Sequence, residues 1–225
     1  MSPKKTLVVF GATGSQGGSV IKTILEDRTL SSQFEIRGIA RDPSKPSAAA
    51  LAQKAVTLVK PDLDDKPSLT HALKDAYAVS AVANWQEVMN EERDVQQGEN
   101  VAGVAKKQNV QHLVWSSLPY VLKSMNPNHP PITEGKTTGV LHFDSKPIVK
   151  EYIISLGIPS PPYLLFWLKP VSPSPSPTSK SYKSFLPLTQ SLKLPMIPVN
   201  CDTGKYVKAI LLNREKVPRE TDLRS

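Results

Sequence analysis

Apolar residues along the chain follow two alternating spacings, one suited to buried strands and the other to helices with one covered face. Leu7, Val8, Val9 and Phe10 make an unbroken apolar run over residues 6–10 that stops at Gly11, the profile of a strand buried on both sides. Val20, Ile21, Ile24 and Leu25 then recur at helical spacing, which predicts a helix over residues 16–26. The alternation continues down the chain. Further strands are expected at residues 34–40, 54–60, 77–83, 112–116 and 163–167. An alanine-rich helix should follow the turn Asp42-Pro43-Ser44-Lys45-Pro46, and another should bury Leu69, Ala72 and Leu73. A helix over 91–108 turns Val101, Val104 and Ala105 inward, and one over 146–156 buries Ile148, Val149, Tyr152, Ile153 and Leu156. Repetition of strand and helix predicts an α/β fold, a doubly wound, mostly parallel sheet with helices on both faces.

The pattern breaks after residue 167. Residues 170–178 alternate Pro with Ser and lack both the amide donors and the apolar spacing of a regular element. A Pro/Ser-rich linker or irregular insert is expected over residues 169–191. Order resumes near Leu192, and a last helix capped by Asp202 or Thr203 would bury Tyr206, Val207, Ile210 and Leu211.

Composition narrows the setting. A chain of 225 residues with 39% hydrophobic residues can build one large core. Cys201 is the single cysteine, so no internal disulfide forms, and no apolar leader follows Met1; a reducing, cytoplasmic location, with the nucleus as a second compartment, is the expectation. No apolar run approaches the roughly 20 residues that cross a bilayer, so no membrane association is expected. The net charge of +8 is concentrated after residue 168, where ten Lys and Arg face four Asp and Glu. A basic tail of this kind predicts no dedicated nucleic-acid site. His71, His112 and His129 make no metal-ligand spacing, and Cys201 has no companion thiol, so no metal is expected.

The chemical signal is the loop Gly11-Ala12-Thr13-Gly14-Ser15-Gln16-Gly17-Gly18, framed by the first strand and the first helix. Gly11 suits a tight turn, Gly14 lets backbone approach a pyrophosphate, and Gly17 lets the helix pack on the sheet. Amides from Thr13 and Gly14 through Ser15, Gln16 and Gly17 would hold phosphate oxygens at the positive end of the helix dipole. This framing points to a nicotinamide dinucleotide. The second strand ends in Ala40-Arg41-Asp42, without the leading acidic residue that favours NAD. Arg41 offers a planar fork to a 2′-phosphate and Lys45 adds positive potential, so NADP or NADPH is the expected ligand, with NAD as the alternative. Asp42 either turns away to cap the next turn or opposes that phosphate. Asp62 either meets the adenine edge or caps, and Asn84 stands where cofactor crosses the fourth strand, beside Trp85.

Four ordered segments carry a family resemblance: GATGSQGGSV at 11–20, QHLVWSSLP at 111–119, HFDSKPIVKEYI at 142–153 and DTGKYVKAIL at 202–211. Together they resemble the NmrA-like family, a branch of the atypical short-chain dehydrogenase/reductase superfamily. The resemblance runs over residues 4–168 and returns over 192–218. It implies a Rossmann-like NAD(P)-binding region at 1–168 and a residual C-terminal substrate or partner region at 192–225. Catalytic superfamily members pair a Tyr with a Lys four residues on, supported by a Ser. The matching positions here are His142, Lys146 and Ser117 or Ser116, so the tyrosine is missing and Lys146 is the group left to hold the nicotinamide ribose or move a proton. The resemblance implies an NADP(H)-responsive regulator that binds a transcription factor or other protein. An NADPH-dependent reductase of a small metabolite is the alternative, and a cofactor-independent scaffold or degenerate truncated paralogue is the third.

Overall fold

Leu7, Val8 and Val9 are buried because β1 (Lys5–Val9) has a strand on each edge and helices on each face. The computed structural model describes residues 3–118, 120, 141–158, 174–175, 182–183 and 198–213. After β1 come α1 (Ser15–Glu26), α2 (Arg28–Gln33), β2 (Phe34–Ile39), α3 (Pro46–Ala52), β3 (Thr57–Val59), α4 (Lys66–Ala72) and β4 (Ala76–Ala81). These are followed by α5 (Trp85–Val88), α6 (Glu91–Lys107), β5 (His112–Trp115), α7 (Leu141–Ser155), β6 (Ser174–Pro175), β7 (Tyr182–Lys183) and α8 (Val199–Leu212). The five long-paired strands form one parallel sheet in the order β3-β2-β1-β4-β5. Chain order reverses between β1 and β4, which opens a crevice at the carboxyl ends of those strands. This is the expected doubly wound Rossmann-type architecture.

Side-chain alternation divides the core into two layers. Leu7 and Val9 join Val20, Ile21, Ile24, Phe34, Ile36 and Val207 on the α1 and α8 face. Val8 and Phe10 join Leu69, Leu73, Val101, Val104, Leu113, Val149 and Ile153 on the α4, α6 and α7 face. The apolar run of β1 is thus unbroken because both directions of its pleat are covered.

Boundaries differ from expectation where side chains or turns intervene. The third strand shrinks to Thr57–Val59, since Ala55 takes a left-handed φ of 59° and ends the turn after α3. α2 and α5 were not foreseen; the first exists because Asp27 caps the amides of Thr29 and Leu30. α7 begins five residues earlier than expected and contains Pro147, and Asp144 lies buried inside its first turn. α8 begins at Val199 with Pro198 at its cap position, which corrects the expected cap at Asp202 or Thr203. Asp202 instead accepts from Lys205 Nζ at 2.7 Å, and the Thr203 side chain is buried. Within the stretch read as an irregular linker, β6 and β7 form a two-residue antiparallel ladder. The expected strand at 163–167 lies outside the described residues.

Candidate functional site

The first turn of α1 is open to an anion. Gly11 adopts φ +61°, which only glycine enters without strain, and Gly14 N–H donates to Gly11 O at 2.8 Å to close the turn. Gly14 occupies the cap position with no side-chain hydrogen bond, and the first turn holds no acidic residue. The amides of Ser15, Gln16 and Gly17 therefore keep the unsatisfied donors of a helix start, just beyond the carboxyl end of β1. Gly17 is fixed by contact: a Cβ there would lie 2.3 Å from Gly11 O and 2.6 Å from Phe10 O. Closeness of helix to loop is what brings those amides to the sheet edge.

A narrow cleft at this edge is lined by Phe10, Gln16, Gly17, Val82, Ser116 and Thr203. Thr203 comes from α8, which lies against α1; Gly204 N–H donates to Ser19 Oγ at 3.0 Å. Thr203 is buried at 2% exposure, and its hydroxyl finds no hydrogen-bond partner among the described residues. The cleft has a volume of about 10 Å³, the room of a single water, so the uncapped helix start beside it is what offers donors to an anion.

The expected adenosine contacts are spread along the same edge. Arg41 is largely exposed and its Nη1 donates to Glu87 Oε1 of α5. Asp42 does not oppose it: its carboxylate accepts from Ser44 Oγ at 2.5 Å and Ser44 N–H at 3.0 Å, and these bonds hold its pKa below the ordinary value. Lys45 is exposed at the cap of α3. Asp62 caps its own turn, accepting from Asp64 N–H at 2.9 Å, while Asp64 accepts from Arg93 Nη2 at 2.6 Å. Asn84 is exposed at the cap position of α5, with no side-chain bond to that helix.

The proton-transfer candidates are separated by packing. His142 and Lys146 do sit four apart on α7, yet His142 is exposed with its ring 5.8 Å from that of Trp85. Lys146 is buried at 7% exposure, and its Nζ donates to Asp94 Oδ2 of α6 at 2.5 Å. Burial pulls the Lys146 pKa below its ordinary value, with Asp94 opposing that shift. Burial raises Glu91, helped by Asp144 and Asp94, so the surroundings of the ammonium are acidic. Ser117 is buried with its Oγ 3.4 Å from Leu118 O, and Ser116 is bound through its N–H to Ala81 O at 2.9 Å. Asp94 escaped the sequence reading, although its spacing to Gly98, Val101 and Ala105 places a carboxylate on the covered stripe of α6. Glu87 gave no signal, being one polar residue in a polar turn.

Among the described residues, no group of three or more His, Cys, Asp or Glu side chains is arranged to hold a metal, and no helix is long and apolar enough to cross a membrane. Cys201 is exposed in the first turn of α8.

Comparison with known proteins sets this geometry in a family. An NmrA-like family domain-containing protein of Dictyostelium discoideum is 28% identical over 161 residues, covering 71% of this chain and 48% of the relative. The NmrA-like family domain-containing oxidoreductase malD of Malbranchea aurantiaca is 31% identical over 118 residues, covering 51% of this chain and 34% of the relative. The chain thus spans half or less of the length of these relatives. Among solved structures, NmrA, a negative transcriptional regulator, superposes with a TM-score of 0.73 at 20% identity over 96% of this chain and 65% of that one. The triphenylmethane reductase of Citrobacter sp., complexed with NADP(H), gives 0.52 at 22% identity over 69% of this chain and 47% of that one. These two likenesses show the shared fold. The model of the NmrA-like family matches residues 3–223, taking in the glycine loop, the Lys146 helix and the returning α8, and the chain belongs to that family.

Proposed function

We propose that the chain is an NADP(H)-responsive regulatory protein, in which a bound dinucleotide alters affinity for a protein partner such as a transcription factor. The observation that carries this reading is the uncapped start of α1, three amide donors at a sheet edge with no acidic side chain to compete. Ser15, Gln16 and Gly17 would hold the pyrophosphate there, with Thr13 and Gly14 shaping the turn. Arg41 and Lys45 would face the 2′-phosphate; Asp62 and Asn84 would flank the adenosine and nicotinamide ends. Ligand bound across this edge favours one arrangement of its loops, and a partner that reads those loops binds with altered affinity by linkage. Residues 1–168 would carry the ligand and residues 192–225 would form part of the partner-reading surface, in the cytoplasm or nucleus.

Turnover is not required by this reading. A bound nicotinamide dinucleotide supplies hydride chemistry when a substrate and a proton donor are in place. Here the Lys146 ammonium donates a hydrogen bond to Asp94 in a buried ion pair, and His142 lies against Trp85. A reductase reading draws on the oxidoreductase relatives and needs Lys146 Nζ released toward substrate.

Calorimetry with the oxidised and reduced forms of both dinucleotides tests the proposal. NADP or NADPH should bind, and Arg41→Ala should weaken NADP more than NAD by about 1 to 3 kcal/mol, the scale of a charged hydrogen bond. No heat of binding from any of the four at millimolar ligand defeats the reading. Cofactor oxidation in the presence of carbonyl or conjugated-alkene substrates would favour the reductase.

A further inference from the structure

Arg41 does not stand open at the end of β2, because Glu87 of α5 already holds its guanidinium. The pairing has a defined place in the topology. β1 lies between β2 and β4, so an ion pair from the residue two beyond β2 to a helix just after β4 spans the carboxyl end of β1, where the glycine loop turns. α5 is a single turn closed by two internal bonds, Glu87 N–H to Asn84 O at 3.1 Å and Met89 N–H to Trp85 O at 2.8 Å. Met89 ends it in the left-handed region at φ 45°. The carboxylate is thus presented by a hydrogen-bonded turn.

We propose that Glu87 is a specificity-determining residue, an internal competitor for Arg41 that lowers the protein's preference for a 2′-phosphate over a 2′-hydroxyl. The proposal rests on the dinucleotide reading above. A 2′-phosphate must take Arg41 away from a carboxylate before it gains the guanidinium, whereas NAD, with a hydroxyl there, leaves the pair in place. The dianionic phosphate offers more charge and a better match to the planar fork, so it wins when bound, but its net gain is reduced by the pair it breaks. Arg41 is 72% exposed and Glu87 39%, which places the competing pair in the weak, salt-screened class.

The test is calorimetric titration of NADP and NAD into the full chain and its Glu87→Gln, Arg41→Ala and doubly substituted variants. Glu87→Gln should tighten NADP by roughly two- to fivefold, the range of an exposed ion pair, with NAD unchanged. In the Arg41→Ala background the same substitution should leave the NADP-to-NAD ratio where it was. An unchanged ratio in Glu87→Gln, or a gain that persists without Arg41, overturns the assignment of Glu87 while leaving dinucleotide binding intact. Failure of both ligands to bind any of the four proteins overturns the dinucleotide reading and this inference together.

Discussion

Gly17 and Gly18 are neighbours in sequence with opposite tolerance, and the difference lies in what a single carbon would meet. A Cβ on Gly17 would press into the backbone of Gly11 and Phe10, whereas one on Gly18 would rest 3.7 Å from Ala12 O, an ordinary contact. Backbone cannot rotate aside as a side chain does, so Gly17→Ala should shift α1 from the loop. The expected cost is about 1 to 3 kcal/mol, as for an overpacked core, together with loss of dinucleotide binding. Gly18→Ala should stay within about 0.5 kcal/mol of the parent. Urea unfolding of both variants checks this, and equal midpoints would show that the loop can move. Sequence named both glycines from their spacing alone. It left open whether Asp42 and Asp62 face ligand or cap turns, because both roles use the same carboxylate; the bonds to Ser44 and Asp64 N–H settle their state in this structure.

At the scale of elements, α6 and α7 are joined through a buried charge pair as well as through apolar packing. Val149 packs against Gly98, and Trp115 Nε1 donates to Lys146 O at 3.0 Å, so the lysine backbone is fixed by β5 while its ammonium meets Asp94. Removing one partner leaves the other charged and uncompensated, which costs more than the pair itself contributes. Lys146→Met should therefore destabilise the protein by about 3 to 5 kcal/mol, and adding Asp94→Leu should recover most of that loss. A chemical-denaturation double-mutant cycle measures it. If the double variant is as unstable as the single one, the pair is not what Lys146 serves. The periodicity of α7 was legible, but its start was not, since Pro147 reads as a helix breaker until packing on both sides holds the residues before it in helical form.

At the scale of the whole molecule, the last described helix closes onto the first. Lys208 of α8 donates to Asp27, which also caps α2, joining residues 181 apart in sequence. The Lys208 bond, then the Leu30 amide, holds the Asp27 carboxyl below its ordinary value of 3.8. A depressed native carboxylate stabilises the fold above the unfolded pKa, and that contribution is lost as pH falls through the native value. Protection of the α8 amides, taken as the intrinsic exchange rate at each pH over the observed one, should accordingly fall on acidification through the carboxylate range, with a weaker pH response in Asp27→Asn. Identical pH profiles for the two proteins would remove Asp27 as the clasp. The sequence by itself determined the alternating β/α order, the parallel sheet, the glycine loop and the family, because these depend on local spacing and on which residues can be covered from both sides. Only the tertiary structure decided which charges meet. Arg41 with Glu87, Lys146 with Asp94 and Asp27 with Lys208 come from segments far apart in the chain, and ion pairing across such distances leaves no periodic trace in sequence.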